Sequence, residues 1–243
     1  MKNFLLLILI CSLSGEMMFA QGRRNVAEAT QNQQAMAQNQ AQLERDIQEL
    51  EAFKARLTQF EKAFSDKDDT AVNALRTALL NDMQREIQQS ENKITQDQRE
   101  VVQSRKEVTG SQRETNRSKV DRRTPEQDLG DARDLRDDRR DQRDDQRDAM
   151  DDRNDLNKQI ARTNRQKEIR ATLQAFTFSF EPSLKERALG TMALVREFGG
   201  TMEQDIAATK AEIQEDKRES MEDSRERRED RREIREKGRS RRN

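Results

Sequence analysis

Apolar side chains return every seventh residue along most of the chain. One series reads Ala29, Met36, Leu43, Leu50, Leu57 and Phe64, apolar six times in succession. Its companion series, Val26, Gln33, Gln40, Ile47, Lys54 and Glu61, is mixed. A sustained period of seven with one clean position predicts a coiled-coil-like helix over 25–65, with an apolar face that strengthens toward Phe64. Ser65 to Asp69 is polar and breaks the pattern, and Asp69 can cap a second helix by accepting a backbone N–H. That second helix carries Leu75, Leu79, Leu80 and Met83, then Ile87, Ile94, Val101 and Val108 at the same spacing. Its companion positions Ser90, Asp97 and Ser104 are polar, so the seam thins beyond Ile87. A loop this short makes the two helices antiparallel neighbours, and residues 21–111 read as one hairpin with its turn near 65–69.

Residues 112–128 lack the pattern and read as a linker. They end in Thr124-Pro125-Glu126-Gln127, a capping box with proline suited to the first helical position. A second hairpin is expected over 129–243, with its turn near 180–183 around Pro182. Its first helix opens with seven Arg against eleven Asp in residues 131–155, where Ala132, Leu135, Ala149 and Met150 are the only apolar side chains. Four such side chains cannot offset roughly 1–2 kcal/mol of backbone entropy per residue, so helix there is marginal. The apolar pattern resumes at Leu156, Ile160, Ile169 and Leu173. The last helix carries Leu184, Met192, Val195 and Phe198, and Gly199-Gly200 predicts an interruption before Thr201, Met202, Ile206 and Ile213. Folding the second hairpin about Glu181 sets 131–155 beside 207–231. Opposite charge favours that pairing, because the tail 217–243 holds twelve basic and eight acidic residues.

The halves echo one another. Leu57, Phe60 and Phe64 recur as Leu173, Phe176 and Phe180, and Met83, Ile87, Ile94 and Asp97 recur as Met202, Ile206, Ile213 and Asp216. A duplicated hairpin accounts for both series. The expected fold is all-α: long antiparallel helical hairpins forming an elongated coiled coil or four-helix bundle.

Composition agrees with exposed helices more than with a thick globular core. Charged residues are 39% of the 243, hydrophobic ones 31%, and the mean hydropathy is −1.22. The net charge is only −1, so neither a nucleic-acid partner nor strong acidity follows from the whole. Residues 1–20 read as a signal peptide: Lys2, an apolar run from Phe4 to Leu13, and a cleavage point near Ala20, with Met18 larger than the usual residue two positions before it. The expected location is the periplasm or the extracellular space. Cys11 is the one cysteine. Its removal with the leader would leave packing alone to hold the mature chain.

The chemistry available is narrow. There is no His, and no cysteine outside the leader, so the usual general base and thiol nucleophile are missing and no enzyme is expected. Asp66-Lys67-Asp68-Asp69-Thr70 opens like a calcium loop, but Ala71 stands where glycine is needed and Thr77 where the bidentate Glu belongs. No metal, cofactor or small-molecule substrate is expected. Two sets of residues remain as candidates for partners. Phe60, Phe64, Phe176, Phe178, Phe180 and Phe198 concentrate at the hairpin tips, as core or as an apolar contact patch, and Phe178 cannot share a helical face with Phe176 and Phe180. Lys237, Arg239, Arg241 and Arg242 could touch an anionic surface, with membrane contact peripheral at most. The sequence therefore favours a protein partner or self-association. The protein would serve as an envelope scaffold or spacer, with a holdase-type chaperone working through the tips as the alternative.

Overall fold

The computed structural model describes residues 37–121 and 129–240. The leader, the lead-in to the first helix, the Thr124–Gln127 capping box, and Arg241 and Arg242 lie outside them. The described residues are almost wholly helical: α1 over 37–65, α2 over Asp69–Asp121, α3 over Leu129–Ala175 and α4 over Lys185–Ser240, with a short 3-10 turn at Pro182–Leu184. At 1.5 Å per residue, the 53 residues of α2 extend about 80 Å. The fold is all-α and built from antiparallel helical hairpins. It divides into two compact units, one of residues 52–202 and one that joins the chain up to Glu51 with the chain from Glu203 onward.

The first turn forms where the pattern breaks. The Asp68 N–H reaches back to the Ala63 carbonyl at 3.0 Å and Lys67 adopts φ 60°, a left-handed closure of α1 more usual for glycine. The cap of α2 falls one residue before the expected Asp69. Asp68 Oδ1 accepts the Ala71 N–H at 2.9 Å, and its carbonyl accepts the first helical bond, from Val72. Asp69 instead takes the Asn73 amide.

Two expectations are corrected, and one contact is added. α2 does not stop near Gly110. It runs on to Asp121, through the first part of the expected linker, because Ser111 and Thr115 are buried and Thr115 Oγ1 donates to the Asp138 carbonyl of α3 at 3.0 Å. The Asp/Arg segment meets α2 through Asp138, a pairing that net charge did not suggest. Gly199-Gly200 does not interrupt α4, since both are helical and the Phe53 ring lies 3.6 Å from where a Gly199 side chain would begin.

Within residues 52–202, α2 and α3 run antiparallel in one continuous register. Ser90 meets Gln166, Thr115 and Ser118 meet Asp138, and Arg170 reaches the Leu80 carbonyl. On α2 the inward positions step by threes and fours through Met83, Ile87, Ser90, Val101, Ser104, Ser111 and Thr115. On α3 the buried positions are Leu135 and then, at steps of three and four, Gln159, Thr163, Gln166, Ile169 and Leu173, with no position more than half-buried between 135 and 159. Apolar burial is richest toward the turns, where α1 and α4 join the pair. Phe53, Phe60, Leu79, Met83, Ile169, Leu173, Val195 and Phe198 are all essentially inaccessible. Below that core sits a polar layer: Ser90 Oγ donates to Gln166 Oε1 (3.2 Å), and Gln166 Nε2 donates to Thr201 Oγ1 (3.1 Å). It satisfies polar groups that burial would otherwise strand.

In the other unit, α4 buries Asp205, Ile206, Thr209 and Ile213, and Asn39 of α1 donates to Asp216 at 3.3 Å. The repeat seen in the sequence extends to burial. Leu79, Asp82, Met83, Glu86, Ile87 and Ser90 are buried in α2, and the residues 119 positions later, Phe198, Thr201, Met202, Asp205, Ile206 and Thr209, are buried in α4.

Candidate interaction site

The phenylalanines meet where the two turns lie side by side. α3 ends at Ala175, five residues before the expected break, and residues 176–181 are not helical. The reason is legible in Phe176-Thr177-Phe178-Ser179-Phe180. Strict alternation of large apolar and polar residues is the period of extended chain, which turns every second side chain to one face. Phe178 is therefore the hub of the cluster, not its outlier. Its ring stands edge-on to Phe60 (5.0 Å between centroids), Phe64 (5.8 Å) and Phe176 (4.7 Å), and Phe64 and Phe180 pair at 5.6 Å. Edge-to-face arrangements of this kind are the favourable ones for aromatic quadrupoles.

The cluster is closed. Phe60, Phe176, Phe178 and Phe198 are buried, and Phe64 and Phe180 are half-buried. Phe198 belongs to a second contact, 5.4 Å from Phe53, a ring that had not been set among the partner-binding candidates. Residues that sequence reasoning passed over seal the cluster from outside. The Arg187 guanidinium lies over the Phe176 ring at 5.7 Å. Arg76 of α2 donates to the Leu173 and Gln174 carbonyls at 3.2 and 2.6 Å, capping an α3 that carries no cation in its own last turn. An arginine at a helix C-terminus is readable only when it lies on that helix, and this one arrives from 97 residues away.

Charged groups near the core are paired. Asp82 is largely buried and is held by Arg56 of α1 and by Arg85 at 2.9 Å. On the surface, Arg165 grips Glu197 through two bonds of 2.6 and 2.9 Å, which holds the Glu197 carboxyl below its ordinary range. On α3 the aspartates behave differently. Burial, then crowding by neighbouring acids, pushes Asp141 and Asp148 above the usual range. Asp152 is raised by burial too, partly offset by a hydrogen bond from Ser104 of α2.

Residues of α2 between Thr95 and Lys106, including Arg99 and Val102, form a shallow open face. Among the described residues no cluster of three or more His, Cys, Asp or Glu is arranged to hold a metal ion, and no helix is long and apolar enough to cross a membrane. Of the four basic tail candidates, Lys237 and Arg239 fall in the last turns of α4, and Arg241 and Arg242 lie beyond the described residues. No protein-family model matches the chain, and no curated protein or solved structure is similar to it.

Proposed function

We propose that this is a non-enzymatic, exported coiled-coil protein that works by protein–protein interaction as a scaffold or spacer of the cell envelope. The observation that carries the reading is the use made of the phenylalanines. A chain with little apolar surface commits five of the seven aromatic rings among the described residues to joining two turns, and leaves the long α2–α3 pair to a thin, polar seam. That arrangement suits a stiff element presenting charged, solvated helix faces over about 80 Å, the length of α2. Export rests on the leader of residues 1–20.

The holdase reading draws on the half-buried rings of Phe64 and Phe180, which a client could reach at the turns. Crosslinking in intact cells followed by affinity purification from the envelope tests the two together. A spacer recovers the same defined partner, or a second copy, in each preparation. Recovery of many unrelated unfolded proteins, together with suppression of aggregation of a denatured client by the folded protein, would overturn the spacer reading in favour of the chaperone.

A further inference from the structure

Charges on the Asp/Arg segment of α3 are sorted by face. Between 135 and 155 all six arginines are exposed, whereas six of the nine aspartates are half-buried. At about 100° per residue, Arg136, Arg139, Arg140, Arg143 and Arg147 fall within an arc of roughly 100°. Asp138 and Asp152, which meet Thr115, Ser118 and Ser104 of α2, fall on the far side of that wheel. The arginine face therefore looks away from α2. No aspartate lies inside the arc. The nearest is Asp151, about 20° beyond its edge, and Asp144, about 40° beyond it, lies 3.8 Å from Arg140 and 3.3 Å from Arg147. Met150 lies in the same arc and is 65% exposed. A segment with an excess of acid thus presents a basic stripe about 16 Å long, bordered on one side by Asp144 and Asp151, with an apolar side chain in line.

We infer that this face docks on an anionic phospholipid surface, with the guanidinium groups on headgroup phosphates and Met150 reaching below them. Charge complementarity selects an anion, since guanidinium groups pair with phosphate oxygens in a fork geometry. The form of the stripe selects a bilayer. It runs along one face of a continuous helix that pairs with α2, so its arginines can meet a plane together. Met150 has no counterpart on a phosphodiester backbone, and no aromatic side chain stands in the arc for bases to stack on. Basic residues at an anionic leaflet add up, while the attraction fades within a Debye length. The inference stands apart from the spacer reading, because it concerns one face of α3 and no protein partner.

Vesicle flotation with the full chain tests it, using phosphatidylcholine vesicles with and without phosphatidylglycerol. The expected result is binding to the anionic vesicles only, weakening as salt rises. R136Q/R140Q/R143Q/R147Q should weaken it about a thousandfold. R99Q/R105Q/R113Q/R117Q on exposed positions of α2 removes the same charge and should change it only a few fold. Circular dichroism establishes that both variants remain helical, and arginine-to-lysine exchange at the four α3 positions should retain binding. Equal binding to uncharged vesicles, an equal loss in the α2 variant, or tighter binding to duplex DNA than to vesicles in the same buffer would each overturn the inference. So would loss of binding when only Lys237, Arg239, Arg241 and Arg242 are made glutamine.

Discussion

Phe178 separates a structural core from an exposed grip more sharply than any other residue. Its side chain is only 4% accessible and its ring touches three others. Truncating a buried phenylalanine to alanine costs about 3–5 kcal/mol in lost transfer energy and residual cavity. Edge-to-face pairs add about 0.5–1.5 kcal/mol each beyond area, so Phe178→Ala belongs at the upper end of that range, about 4–5 kcal/mol. Against a total stability of about 5–15 kcal/mol this is a large fraction. Phe178→Leu, which keeps most of the volume, should cost much less. Urea unfolding followed by circular dichroism reads both variants, with the slope checked for constancy so that the midpoint reports stability. An exposed contact residue would behave otherwise, with a change within about 0.5 kcal/mol. A shift that small for Phe178→Ala, with a loss of client or partner binding, would refute the reasoning.

Three further outcomes follow from the same contacts. Gly190→Ala and Gly200→Ala should each raise stability by about 0.5–1 kcal/mol, because both sit inside α4 with nothing within 4 Å of the added carbon; a lowered melting temperature would contradict this. Gln166→Leu should cost about 1–3 kcal/mol despite its apolar surroundings, since Ser90 and Thr201 then lose a buried partner, and a double-mutant cycle with Thr201→Val should show strong coupling. The α2–α3 pair should be steadier in mild acid than at neutral pH. The folded state raises the carboxyls of Asp141, Asp148 and Asp152, so their stabilisation is complete below the ordinary aspartate range and is lost as pH rises through the raised values. Amide hydrogen exchange corrected for its intrinsic pH dependence reads this locally, and Asp152→Asn should flatten the profile. Protection that instead falls on acidification would contradict the raised carboxyls of Asp141, Asp148 and Asp152.

The hairpins were legible wherever apolar residues mark the seam. Ile87, Val101 and the polar companions Ser90 and Ser104 announced the inner edge of α2, and all four are buried. The opposite edge was not legible, because the residues of α3 that meet it are Asp138, Asp152, Gln159, Thr163 and Gln166. Polar residues carry no periodic signal unless their partners are known. Counting net charge gave no sign that the Asp/Arg segment would meet α2. A sum over a segment cannot report that arginine and aspartate lie on opposite faces, and it is the aspartate face that meets the serines and threonine of α2. The turn at 176–181 was missed for a different reason. The echo of Leu57, Phe60 and Phe64 invited a helical reading of Leu173, Phe176 and Phe180, while the intervening Phe178 supplied the alternation of extended chain. The glycine pair was misread because a helix-breaking tendency of about 1 kcal/mol per residue is outweighed when an aromatic ring, here Phe53, packs against the same turn.

Pairing of α3 with α2 underlies the seam, the sorted charges and the spacer reading together. Cysteines at Ser104 and Asp152, introduced in a Cys11→Ser background, test it directly. The paired register predicts a rapid intramolecular disulfide on mild oxidation, seen as a mobility shift in the monomer, whereas Ser104→Cys with Asp151→Cys, one residue round the helix, should close far more slowly. No crosslink at 104 and 152, together with efficient closure between a cysteine at 152 and one within 207–231, would contradict the account.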